Sequence, residues 1–140
     1  MFSQLFNKTY NKISFEDLQK AIQFNYTLIN TLPSNKQDCL IKNTIVSNEE
    51  ETVINNLLSN YNTSQTNIII YGENSSDISV ETKYNQLHKC GFYNVYIYPG
   101  GLFEWLLLQD IYGNDNFPTT KKELDILKYK PKRQIVGLLK

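Results

Sequence analysis

The stretch NIIIYGENSSDIS, residues 67–79, puts a polar loop at the end of the most hydrophobic strand candidate in the chain. In α/β proteins that position is where ligands bind. Gly72, Glu73, Asn74, Ser75, Ser76 and Asp77 supply carboxylates, hydroxyls and an amide, but no thiol, imidazole or cation. Nucleophilic group transfer there would need a thiolate held by N–H groups or cations. Backbone N–H groups at the start of a following helix could still bind an anion, but Glu73 opposes one. At about 5 Å that repulsion costs on the order of 1 kcal/mol per unit charge in water, and about 3 at an effective dielectric of 20. Ser75, Ser76 and Asp77 instead suit helix capping and the positive end of the helix dipole. The expected loop is therefore a capped turn without catalytic residues, and a turn closed on itself would distinguish it from an open anion cradle.

The remaining chemistry-bearing side chains are scattered. Cys39 and Cys90 lie far apart with no CxxC, and His88 is the one histidine. This excludes the usual zinc spacings, and no metal or cofactor is expected. Cys39 opens a strand candidate and reads as a partly exposed thiol. Cys90 precedes Gly91 at a helix end and reads as a buried apolar thiol. His88 is two residues from Cys90, so a helix points them apart, and it reads as a surface histidine.

The elements that would hold these residues are read from periodicity. Ser14 and Asp17 form a capping-box pattern before a helix with Leu18, Ala21 and Ile22 on one face. Residues 26–33 and 38–45 are strand candidates. Residues 47–61 are helical, with Glu49, Glu50 and Glu51 at the favourable end. Residues 67–72 form the central strand. A helix over residues 76–91 ends at Gly91, and a strand over 92–101 leads to a glycine turn. An apolar helix over 102–113 follows, with Phe103, Trp105, Leu106, Leu107 and Leu108 mostly core. Thr120 and Glu123 then suggest a capping box and a last helix stopping at Pro131. Alternating strands and helices predict an open, mainly parallel α/β sheet covered on both faces.

With 140 residues the chain suits one core. The body spans residues 1–117, and a basic helix and tail, residues 118–140, pack on it or extend from it. The net charge is zero, yet residues 118–140 hold seven basic and two acidic side chains. Lys121, Lys122, Lys128, Lys130, Lys132 and Arg133 read as a solvated face, and with little aromatic interleaving nucleic acid is not an expected partner. The helix at 102–111 is apolar almost all round. Ile135, Val136, Leu138 and Leu139 are candidates to cover its second side, as is a second copy of the chain in a homodimer, or another protein. No apolar run spans a bilayer, and the start of the chain lacks a secretory pattern. The expected setting is a reducing cytoplasm.

LINT at 28–31, CLIKNTI at 39–45 and, above all, CGFYNVYIYPGGLFEW at 90–105 resemble a rhodanese-like domain. Gly91, Phe92, Val95, Gly100, Gly101 and Trp105 fall in register with that family's closing signature. The resemblance covers roughly residues 13–113. The stretch at 100–120 further resembles divergent members from large DNA viruses and protists, which would make the setting host cytoplasm or a virion. The resemblance implies an active-site cysteine directly after the central strand, and Gly72 stands at that position. The family's early Asp and Arg correspond to Asn30 and Leu32, and its His to Leu40. With those positions changed, the resemblance implies a catalytically inactive rhodanese-like domain serving as a protein-interaction or structural module. The alternative is a divergent sulfurtransferase or sulfur carrier using Cys39 or Cys90. A phosphatase on this scaffold would need the same loop cysteine and an arginine.

Overall fold

A computed structural model describes residues 9–135. Helix α1 (Phe15–Gln23) starts with both halves of the Ser14 capping box. Asp17 N donates to Ser14 Oγ at 3.3 Å, and Ser14 N donates to Asp17 Oδ2 at 3.2 Å. Then come strand β1 (Thr27–Asn30), a 3₁₀ turn (Ser34–Lys36), strand β2 (Thr44–Ile45) and helix α2 (Ser47–Ser59). Strand β3 (Ile68–Tyr71), helix α3 (Ser79–Lys89), strand β4 (Val95–Tyr98), helix α4 (Gly101–Tyr112) and a second 3₁₀ turn (Ile126–Tyr129) complete the order.

The sheet runs β2-β1-β3-β4 with every pairing parallel. Leu28, Ile69 and Tyr96 lie in one row across it, and Ile29, Ile70 and Ile97 in the next. Strand side chains alternate between faces, so the rows supply two cores. Leu28, Ile69, Tyr71 and Tyr98 pack with Leu18 and Ala21 of α1 and with Leu102, Trp105 and Leu106 of α4. Ile29, Ile68, Ile70, Val95 and Ile97 pack with Tyr84 and Leu87 of α3 and with Ile54, Leu57 and Leu58 of α2. Strand β3 is fully buried and interior, as its run of isoleucines predicts. Among the described residues no helix is long and apolar enough to cross a membrane.

Two expected elements take another form. Only Thr44 and Ile45 of the 38–45 segment pair with β1. Asn43 takes φ +71° and Thr44 N donates back to Ile41 O, so the chain turns before it can extend. Ile41 instead bridges Thr119. The helix expected from Thr120 is absent. Thr120 Oγ1 is spent on Leu40 N, at 3.1 Å, and on Asp38 O, while Glu123 pairs with Lys128 at 3.0 Å. Both members of the expected capping box thus have other partners, and the segment crosses the body as a strap.

The strap covers α4. Phe117 and Tyr129 join the same core as Trp105, and Ile126 packs against it. Trp105 Nε1 and Lys42 N both donate to Pro118 O. The cover thus comes from Phe117, Ile126 and Tyr129; Ile135 is exposed, and Val136, Leu138 and Leu139 lie outside the described residues.

Candidate active-site loop

The loop at residues 72–78 leaves the carboxyl end of β3. Tyr71 anchors that end: its hydroxyl accepts from Ile41 N at 3.1 Å and bonds Thr44 Oγ1 at 2.7 Å. Burial pushes the phenol far above its ordinary range. On the other side, Gly101 approaches so closely that a Cβ there would lie 2.7 Å from Gly72 O and 2.9 Å from Asn74 N. Its φ of +68° adds a second reason for glycine.

The chain's own oxygens take several of the N–H groups that such a loop would offer an anion. Leu102 N and Phe103 N, at the start of α4, donate to Gly72 O and Glu73 O at 3.0 Å each. Asp77 is the centre of the turn. Its Oδ2 accepts from Glu73 N at 3.2 Å and from Thr31 Oγ1 at 3.0 Å, and its Oδ1 accepts from Ser79 N at 3.0 Å and from Ser79 Oγ. Asn74 Oδ1 accepts from Ser76 N, and Asp77 N returns to Asn74 O. A Cβ on Gly72 would sit 2.3 Å from Asp77 Oδ2 and 2.9 Å from Thr31 Oγ1. The carboxylate therefore fills the space that any side chain at position 72 would enter. The loop is a turn closed on itself, with no thiol in it; Asp77 does the capping, and Ser75 accepts none of these bonds.

Positive charge arrives from elsewhere in the chain, which the loop sequence alone does not disclose. Lys36, on the first 3₁₀ turn, forms an ion pair with Glu73 and also donates to Lys128 O at 3.2 Å. Asn74 Nδ2 donates to Tyr129 O at 2.8 Å. The strap is thus tied to the loop, and between them lies a cleft of about 620 Å³ lined by Lys36, Glu73, Asp77, Lys128, Lys130 and Lys132, among others. The basic tail was visible in the sequence, but its position over this loop was not. The loop itself carries Glu73 and Asp77, whereas the cleft around it is lined by four lysines.

Neither cysteine reaches this site. Cys39 is 2% exposed rather than partly exposed, because the Leu40–Thr120 pairing lays the strap over it. Its thiol donates to Lys121 O at 3.3 Å, and burial raises its pKa above the ordinary 9.0. Cys90 is exposed rather than buried. It follows the last turn of α3, some 16 Å of helix from the loop at 1.5 Å per residue, because α3 runs back towards the amino ends of the parallel strands. His88 is half-buried rather than a free surface residue. It stacks on Tyr84 at 4.5 Å, with Tyr93 edge-on at 6.0 Å. Among the described residues no group of three or more His, Cys, Asp or Glu side chains could hold a metal.

Known proteins place this scaffold. No curated protein matches the sequence. Among solved structures, the Alr3790 protein from Anabaena sp. is similar at 20% identity and a TM-score of 0.54, over 83% of this chain and 97% of that one. A yeast protein, described as a protein tyrosine phosphatase of the rhodanese family, is similar at 13% identity and a TM-score of 0.56, over 85% and 97%. A full-length protein from Lactobacillus plantarum is similar at 15% and 0.52, over 70% and 82%. These identities speak for the fold alone. The family described as Rhodanese-like domain matches residues 16–108, from α1 well into α4 and short of the strap. The chain belongs to the rhodanese-like domain family.

Proposed function

We propose that this protein is a catalytically inactive rhodanese-like domain that acts as a protein-interaction or structural module. The supporting observation is the Asp77 carboxylate, held by donors from Thr31, Glu73 and Ser79 over Gly72, the residue that the sequence resemblance aligns with the family's cysteine. Sulfur transfer requires a thiolate to attack a sulfane sulfur, forming a persulfide and releasing sulfite from thiosulfate. Gly72 has no sulfur to give, and the Asp77 carboxylate fills the space in which a side chain at that position would carry one. Phosphoryl transfer of the kind named for the yeast relative meets the same two obstacles. Free thiols at Cys39 and Cys90 support a reducing, cytoplasmic setting, in a host cell or virion if the viral resemblance of residues 100–120 reflects descent.

The sulfur-carrier alternative draws its support from the exposure of Cys90. Incubation with thiosulfate and subsequent peptide mass spectrometry separates the two readings. An inactive module gains no sulfur on either cysteine, and hydrolyses an aryl phosphate no faster than buffer without protein. A persulfide on Cys90 or Cys39 that passes to a thiol acceptor would replace the module with a carrier.

A further inference from the structure

The family match ends at residue 108, and the strap beyond it supplies most of the basic wall of the cleft. Leu127 and Lys128 line the cleft from the second 3₁₀ turn; beyond it Lys130, Lys132 and Gln134 line it, whereas Pro131 and Arg133 do not. That period of two is the signature of extended chain, and Lys130 has extended backbone, φ −65° and ψ 153°. Successive lining side chains are then about 6.6 Å apart along the strap.

The charges in the cleft are unevenly committed. Glu73 is neutralised by Lys36, Lys128 pairs with Glu123, and the Asp77 carboxylate is surrounded by donors from its own turn. Among the described residues Lys130 and Lys132 have no carboxylate partner, and both are exposed. Leu127 on the strap lines the same cleft and is 62% exposed. Asp77 takes Glu73 N and Ser79 N, Asn74 takes Ser76 N and Asp77 N, and loop carbonyls take Leu102 N and Phe103 N. The turn thus offers a compact phosphate few N–H groups, and the lysine side chains are the main recognition elements.

We infer that the cleft between the closed loop and the strap is a docking groove for an extended acidic peptide segment of a partner protein, with acidic residues at alternate positions facing Lys130 and Lys132. This rests on the reading of the protein as an interaction module, and it names the groove and the chemistry of the occupant. An extended peptide repeats its same-side residues at the spacing of the strap lysines. An apolar residue beside the acids would meet Leu127. The long lysine stems let the ammonium groups adjust to either carboxylate spacing.

The test is fluorescence anisotropy of a labelled peptide with glutamate at alternate positions, titrated with the full chain at low and physiological salt. Two variants carry the same change in charge on the same strap: Lys130→Glu with Lys132→Glu in the cleft, and Lys121→Glu with Lys122→Glu outside it. Saturable binding is expected, weakened about tenfold or more by the cleft pair and within about twofold of the unmodified chain for the control pair. Three results would overturn the inference: no saturable binding, equal loss in both variants, or displacement of the peptide by a single-stranded oligonucleotide of equal charge. Sulfurtransferase and phosphatase rates on the same preparations are a separate readout. Silence without binding removes only the groove, whereas turnover removes only the inactive reading.

Discussion

Asp77 and Gly72 form a coupled pair, and the coupling is measurable. Gly72 does not have a left-handed φ, so an alanine there meets the carboxylate rather than backbone strain. Gly72→Ala should cost about 1–3 kcal/mol through overpacking, and Asp77→Ala about 1–2 kcal/mol through loss of the cap. In urea unfolding, the double variant should fall short of the summed losses by more than about 0.5 kcal/mol. Strict additivity would mean that the two groups do not share the space. The thiols offer an independent check at the same scale. Cys90 should react with an aromatic disulfide reagent in the native protein, and Cys39 only as the protein unfolds, since it is buried and its thiolate disfavoured. Equal native rates would contradict the placement of the strap over Cys39.

The strap is the element that sets this chain apart from its matched family segment. Phe117 packs edge-on to Trp105, with ring centroids 5.0 Å apart, and Trp105 donates to Pro118 O. Phe117→Ala should therefore destabilise by about 3–5 kcal/mol and shift the emission of the single tryptophan to the red. A stable variant with unchanged emission would show that the strap does not close the core. Local pattern was enough to read β3, the capping box at Ser14 and the glycine ends of α3 and α4, because each is decided within a few residues. It was not enough for the strap. Thr120 and Glu123 look like a capping box until Leu40, Asp38 and Lys128 compete for them, and those partners are distant in sequence or lie beyond the motif. Cys39 and Cys90 exchanged their expected environments for the same reason: burial depends on which segment lies above a residue. The carboxylates and hydroxyls of the loop are legible in the sequence, whereas its basic surroundings needed the third dimension.

For the whole molecule, the buried titratable groups make stability sensitive to alkali. Burial raises the Cys39 thiol above 9.0, and burial raises the phenols of Tyr71 and Tyr98 above 10.0, with Glu104 as an added cause at Tyr98. Each is raised relative to the unfolded chain. Its contribution is therefore complete below the unfolded value and is lost as pH climbs towards the folded one. Unfolding free energy should be insensitive to these groups near neutrality and fall above pH 9.0, with the first part of the fall missing in Cys39→Ala. The fold as a whole keeps the family's sheet and helices while closing the loop with a carboxylate and roofing it with a basic strap. The proposed chemical silence is tested most directly by steady-state formation of thiocyanate from thiosulfate and cyanide. The purified protein should match the protein-free rate. Turnover well above that rate, persisting in the Cys39→Ser, Cys90→Ser double variant, would contradict it.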